Sequence, residues 1–395
     1  MKKTTTLGSK IRTTRFNLLD VLFLVVIFSL LSITITIFIF RKALNKNESS
    51  NIDKVYNQIV NNYYQEVNKE ELANSAIDGM MKYLGEKYSI YMDKDSTEAL
   101  SEQLDGTYKG IGVIVQMNKE GLTIMDVFKD SPADKGGLNV GDIILQMDEY
   151  KVDSSSDINE AVQYIKDHDE IAFLIKRHES EVIINIRSTN VDNPVVSSKL
   201  LTSDNNNYGY IYLGSFSSAS YKQFRGYLED LEKSDIKGLI IDLRENRGGY
   251  LEQAHQIASM FIKKGKVLYT LKEKNSSKAY LDETDEERTY PIVIITNNNT
   301  ASSSELLAMA LKEDNGALIV GTTTVGKGKV QETASLGSSM VKYTTAMWYS
   351  PNRNNIDGVG IKPNYIVELS KKYYNNPTDE NDNQLKKALD ILIQK

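Results

Sequence analysis

The 395-residue sequence has no cysteine. Disulfides, thiolate zinc sites and a cysteine nucleophile are therefore excluded. Histidine is scarce: only His168, His178 and His255 are present. The first two fall in charged loops (IKDHDE, IKRHES) and the third on a helical stretch (LEQAHQIA). A serine–histidine–aspartate triad therefore has little support, and no metal or cofactor site is expected. An excess of positive charge is also missing. The net charge is −6, which argues against a nucleic-acid partner. Charged residues make up 25% and hydrophobic ones 41%, so most of the chain should fold as a globular protein.

What the sequence does contain begins with a long apolar run. Residues 21–40 (VLFLVVIFSLLSITITIFIF) carry no charge. At about 1.5 Å per residue they match the roughly 30 Å hydrocarbon core of a bilayer. Lys2, Lys3, Lys10, Arg12 and Arg15 precede the run, and Arg41 and Lys42 follow it. The basic head predicts a cytoplasmic N-terminus with everything after Arg41 outside the cell. A cleaved signal peptide would have a shorter apolar region and an A-x-A site.

Seven segments follow from pattern. They are a basic head (1–20), a membrane-spanning helix (21–40), a polar stalk (41–53) and a helical region (54–95). Next come a β-rich unit (96–190), an α/β unit (195–370) and a C-terminal tail with one amphipathic helix (371–395). In the β-rich unit the strand signals are IGVIVQ, LTIMDVF, DIILQM, IAFLIKR and EVIINIR. In the α/β unit, GYIYL, GLIIDLR, PIVIIT and ALIV alternate with helical stretches, which predicts a layered α/β structure.

The stretch TNNNTASSSELLAMALKEDNGALIVGTTTVGKGKVQ (296–331) concentrates the candidate chemistry. Its G-x-x-x-x-G-K segment has the outline of a phosphate-binding loop. The next residue, however, is Gly328 rather than Ser or Thr, and KVQETASL shows no helical stripe. A serine at a helix start can be a simple cap, and G-K-G a simple turn. It can also be a nucleophile beside free backbone N–H groups, with a desolvated lysine as its base. The residues alone leave both readings open.

The pattern T-A-S-x-S-E…G-K-G-x-V-Q resembles the C-terminal processing peptidases, or tail-specific proteases. Asp242-Leu-Arg-Glu-Asn-Arg-Gly-Gly249 resembles that family's D-L-R-x-N-P-G-G turn, with Arg247 in the proline position. W-Y-S-P (348–351) and D-G-V-G-I-K-P-N (357–364) resemble the closing segment, with Asn364 where the family usually has Asp. The resemblance implies Ser302 as nucleophile, Lys327 as general base and Gln331 as the group that orients the lysine. It implies an oxyanion hole built from the N–H of Ser303 with Gly248 or Gly249. The β-rich unit resembles a PDZ domain, and Lys109, Gly110, Ile111 and Gly112 are then its carboxylate-binding loop. The fold implied is an α/β protease core with crotonase- and Clp-protease-like ββα layers, plus a PDZ domain and terminal helices. The activity implied is a membrane-anchored serine endopeptidase. Its partners would be proteins or peptides with free C-termini, and two copies would pair through the terminal helices. A catalytically silent PDZ scaffold that binds peptide tails is the alternative, and the presence of Ser302, Lys327 and Gln331 together speaks against it.

Overall fold

The structure is a computed structural model that describes residues 17–44, 49–128 and 131–395. The basic residues 2–15 and stalk residues 45–48 lie outside the described residues. The chain divides into two compact units, Met1–Tyr83 and Leu84–Lys395.

The first unit contains three helices, Leu18–Leu44, Ser49–Asn62 and Lys69–Tyr83. The apolar run lies within the first of them, but the expected membrane span does not carry over as a finding. Among the described residues no helix is long and apolar enough to cross a membrane.

In the second unit, residues from Thr107 to Asp192 form the β-rich module. Strands Val113–Met117, Leu122–Val127, Ile143–Met147, Glu170–Arg177 and Ser180–Arg187 pair antiparallel in that order. Every strand signal read from the sequence lies on one of them. Alternate residues such as Ile171, Phe173 and Ile175 point inward and are fully buried, while their neighbours face outward. Helix Ile158–Asp167 closes one side through Ala161 and Ile165.

The core is a six-stranded sheet in the order Val196–Ser203, Asn206–Leu213, Ile236–Asp242, Ile292–Thr296, Leu318–Gly321, Tyr365–Ile366. The first pair is antiparallel and the remaining pairs are parallel. A parallel sheet is covered on both faces, so its strands read as unbroken apolar runs. All five residues of Ile292–Thr296 are accordingly buried. Leu239, Ile241, Ile292 and Ile294 pack into one layer with helices Ser220–Glu232, Leu251–Ser259 and Ser303–Ala310. Ile240, Val293, Ile295 and Val320 face the opposite layer, where Leu385, Ala388, Ile391 and Leu392 of the C-terminal helix Asn383–Ile393 cover them. The amphipathic stripe of that helix, expected to meet a second copy, is thus satisfied within the chain.

A second, antiparallel sheet holds Lys329–Leu336, Ser339–Tyr349, Val267–Glu273 and Ser277–Leu281. Ile90–Met92 adds to it, with Ile90, Tyr91 and Met92 opposite Lys342, Val341 and Met340. The sequence pattern assigned this segment to the N-terminal helical region. Three residues are too few to carry a period, and pairing with a distant strand decides their conformation.

Candidate active site

Two turns at the ends of parallel strands are bolted together. One follows Ile236–Asp242 and the other follows Ile292–Thr296. The Thr300 hydroxyl donates to the Leu243 carbonyl at 2.8 Å, and the Ala301 N–H donates to the Asn246 carbonyl at 3.0 Å. Asn297 and Asn299 side-chain amides donate to the Glu245 carboxylate at 2.6 and 2.8 Å. Ser303 Oγ donates to the Gly249 carbonyl at 2.9 Å, and Ser304 Oγ to the Asn246 carbonyl at 3.0 Å. The two neighbouring serines are therefore committed to holding the turns, which leaves Ser302 as the distinct member of the triplet.

Ser302 precedes helix Ser303–Ala310 with φ 59° and ψ −118°. A non-glycine residue in such a region costs on the order of 1–3 kcal/mol and persists only where its surroundings impose it. Here the surroundings are hydrogen bonds on both sides of the residue. Its N–H donates to Glu305 Oε2 at 2.8 Å, and its carbonyl accepts from the Leu306 N–H at 3.0 Å. Gly248 lies directly against it. A Cβ at Gly248 would stand 2.9 Å from Ser302 Cβ and 3.1 Å from the Ser303 nitrogen, so only glycine fits. The Gly248 N–H donates to Asn246 Oδ1 at 2.9 Å. The N–H groups of Gly249 and Ser303 meet no acceptor among the described residues. Ser303 is the first residue of helix Ser303–Ala310, where partial positive charge collects, and Gly249 lies in the turn that precedes helix Leu251–Ser259.

Glu305 is the residue the sequence reading passed over. It is fully buried, and its carboxylate accepts four hydrogen bonds. Oε2 takes the N–H groups of Ser302 and Lys327, both at 2.8 Å. Oε1 takes the Gly326 N–H at 2.7 Å and the Thr324 hydroxyl. One carboxylate thus clamps the serine segment to the lysine segment. Its signal was present in the sequence as the S-x-x-E spacing of a capping box.

Lys327 is half-buried and lies on the turn that leads into strand Lys329–Leu336. Burial, assisted by the nearby Lys342 ammonium, lowers its pKa to about 8, against the opposing pull of Glu305 and Glu86. At pH 7 roughly one such lysine in ten is neutral. Its Nζ stands 5.1 Å from the centroid of the Tyr88 ring. Gly326 and Gly328 permit the tight passage. A Cβ on Gly326 would lie 2.6 Å from the Gly360 nitrogen, and one on Gly328 would lie 2.8 Å from Asp357 Cβ.

Gln331 does not hydrogen-bond to Lys327 among the described residues. Its amide donates to Thr344 Oγ1 across the sheet at 3.3 Å. Thr344 Oγ1 in turn donates to Glu86 Oε1 at 2.5 Å, and Lys329 Nζ holds Glu86 Oε2 at 2.7 Å.

Away from this cluster, Lys109 and Gly110 end strand Thr107–Gly110, and Lys109 Nζ pairs with Asp169 at 2.7 Å. Ile111 is buried, and Gly112 has φ +83° with Ser131 packed where a Cβ would stand. The loop opens on a narrow cleft between Val113 and Val115 of one strand and Val162 and Ile165 of the helix. Such a cleft accepts an extended chain laid beside the strand.

Comparison with known proteins agrees with this layout. Residues 207–367 match peptidase family S41, residues 110–187 match the PDZ domain, and residues 40–96 match the activating protease CtpB N-terminal domain. Carboxy-terminal processing protease CtpB of Bacillus subtilis is 34% identical over 356 residues, covering 89% of this chain and 72% of that protein. Carboxy-terminal processing protease CtpA of the same organism is 31% identical, covering 89% and 78%. A solved structure from Bacteroides fragilis, assigned to the S41 proteases, superposes with a TM-score of 0.51 at 16% identity, covering 84% of this chain and 91% of that one, and shows the same fold. The chain therefore belongs to peptidase family S41 and is a C-terminal processing serine peptidase with a PDZ domain.

Proposed function

We propose that the protein is a membrane-anchored endopeptidase that takes protein C-termini in its PDZ cleft and cuts near them with a Ser302–Lys327 pair. The observation that carries the reading is the buried Glu305 clamp, which ties the backbone of Ser302 to that of Lys327. Neutral Lys327 takes the proton from Ser302 Oγ as that oxygen attacks the scissile carbonyl. The negative charge on the carbonyl oxygen is met by the Ser303 N–H and the Gly248–Gly249 turn. The proton on Lys327 then passes to the departing amine, and water hydrolyses the acyl-serine by the reverse sequence of transfers. Gln331, bonded to Thr344, steadies the strand that follows the lysine. A substrate carboxylate is bound by Lys109, Gly110, Ile111 and Gly112, with the chain lying along Val113–Met117. The B. subtilis relatives, named as carboxy-terminal processing proteases, support this choice of substrate end. Pairing of two copies would involve helices Ser49–Asn62 and Lys69–Tyr83, which leave Ile52, Val55 and Met80 in solvent.

One substrate pair tests both halves of the reading. Wild type should cleave a tail-bearing protein with a free C-terminus faster than its C-terminally amidated form. The lost charge-assisted contact is worth about 1.5–3 kcal/mol, roughly 10- to 150-fold. Ser302→Ala should cleave neither form. Equal rates on both forms would remove the carboxylate loop, and an active Ser302→Ala would remove the nucleophile.

Anchoring rests on the uncharged residues 21–40 and the basic residues before them. Protease added to intact spheroplasts should digest the region after Arg41. Protection until lysis would contradict an extracytoplasmic catalytic domain.

A further inference from the structure

Residues 86–92 lie outside both motifs, yet they form one wall of the lysine's surroundings. The Tyr88 ring has Lys327 Nζ at 5.1 Å and Lys329 Nζ at 5.7 Å from its centroid. The exposed Lys87 Nζ lies 4.9 Å from the same ring. Glu86 is held from several directions. Lys329 Nζ meets Oε2 at 2.7 Å, while Ser89 Oγ and Thr344 Oγ1 both donate to Oε1. Ser89 also accepts the Thr344 N–H at 3.1 Å. The backbone of Ile90–Met92 is then paired into the sheet through strand Ser339–Tyr349. Side chains of Glu86 and Lys329 are only 15% and 25% exposed, so this is an inward-facing anchor rather than a loose surface pair.

We propose that Tyr88 is a positioning residue for the base. Its ring caps the Lys327 ammonium and keeps water from it, and the Glu86–Lys329 pair holds that cap in place. The inference rests on the Ser302–Lys327 reading and adds to it the group that sets when the lysine can act. A carboxylate in Tyr88's position would pin Lys327 in its charged form. A ring face covers the ammonium without supplying a compensating negative charge. Glu86 is the nearby carboxylate that could do the pinning, and Lys329 diverts it.

The charged and titratable groups around Lys327 are Glu86, Lys87 and Tyr88 from this segment, Lys329 from its own strand and Lys342 from the neighbouring one. Glu305 from the nucleophile helix and Asp357 from the turn against Gly328 complete the set. Burial is the largest influence among them and favours the neutral lysine. Removing the ring admits water and restores the charged form. The ring's own attraction for the ammonium acts in the opposite sense and is the smaller effect, because a ring face does not replace full hydration.

The test is the rate at which a fluorophosphonate probe labels Ser302 in the full-length protein, measured across pH. In Tyr88→Ala the acid limb of the profile should move up by about one unit, which lowers labelling at pH 7 about tenfold. Tyr88→Phe keeps the ring and should restore the wild-type profile. Tyr88→Leu retains an apolar side chain for local packing but is too short to cover the ammonium. It should shift the limb in the same direction by less, and it decides the question if the alanine variant does not fold. An unshifted acid limb in Tyr88→Ala, or in Tyr88→Leu, overturns the proposal even if labelling is slower, because slowing alone would mark a packing role. A Tyr88→Phe profile shifted like the alanine one also overturns it, since the hydroxyl would then be responsible. The underlying reading fails separately: Lys327→Arg labelled at the wild-type rate would remove the Ser–Lys pair, whatever Tyr88 does.

Discussion

Lys327→Arg is expected to give a folded protein with no measurable cleavage, indistinguishable from Lys327→Ala. Arginine keeps the positive charge and most of the length, but it does not deprotonate near neutrality. If the lysine's role is to accept a proton, charge alone cannot replace it. A positioned general base contributes about 10²- to 10⁴-fold, so a loss of roughly a thousandfold is the expected scale. Thermal melting of both variants should stay close to wild type, because Lys327 makes no ion pair among the described residues and its backbone clamp to Glu305 is kept. Gln331→Ala should cost much less, since that side chain reaches Thr344 rather than the ammonium. A folded Lys327→Arg enzyme that cleaves at a near wild-type rate would show that the lysine is only a structural cation.

Arg244→Ala is expected to be the most destabilising single change in the core. Arg244 stands two residues beyond Asp242 and four before Gly248, so it belongs to the turn that lies against Ser302. Its guanidinium meets Asp242, Asp382 at 2.8 Å and Gln384 Oε1 at 3.1 Å. Tyr210 adds a hydroxyl to Asp242 at 2.8 Å. Asp242 and Asp382 are 1% and 2% exposed. Burial alone would disfavour the guanidinium charge, but the two carboxylates outweigh it and hold Arg244 charged. Truncating the arginine leaves two carboxylates buried together without a cation, which typically costs about 3–5 kcal/mol. Asp382 also caps the C-terminal helix by accepting the N–H groups of Gln384 and Leu385. That helix should therefore loosen first. For a core of this size the melting temperature should fall on the order of 10 °C. The sign of the pH dependence follows from the same picture. Unpaired buried carboxylates have raised pKa values in the folded state, so protonation at lower pH should recover part of the lost stability. A variant with unchanged melting temperature would mean that the cluster contributes little.

The parts of this molecule that were legible in the sequence were those carried by local pattern. Parallel strands such as Ile236–Asp242 and Ile292–Thr296 announce themselves as buried apolar runs, and the β-rich module announces itself by alternation. Ser302 and Lys327 were singled out by resemblance, because a serine at a helix start and a lysine between glycines read equally well as a cap and a turn. What long-range contacts create was not legible. Glu305 looks like an ordinary first-turn acid until the chain returns to place Gly326 and Lys327 on its oxygens. Ile90–Met92 looks like the tail of a helical region until a strand about 250 residues away pairs with it. The stripe on Asn383–Ile393 was visible, but nothing in it distinguishes a partner subunit from the chain's own sheet. Gln331 was assigned to the lysine by resemblance. It sits beside a register shift between Val330 and Gln331, and its amide goes to the neighbouring strand instead.

The most direct test of the account is the pH dependence of Ser302 labelling by a fluorophosphonate probe in the wild-type protein, with Ser302→Ala and Lys327→Arg as controls. On the proposed mechanism labelling needs the serine, the oxyanion site and the base, but not substrate recognition by the PDZ cleft. Because burial lowers the lysine to about 8, the rate should be low in acid and climb through about pH 8 to a plateau. It should vanish in Ser302→Ala and stay near background at every pH in Lys327→Arg. A wild-type rate that is flat between pH 6 and 9, or a Lys327→Arg protein that labels as fast as wild type, would contradict a serine activated by a desolvated lysine.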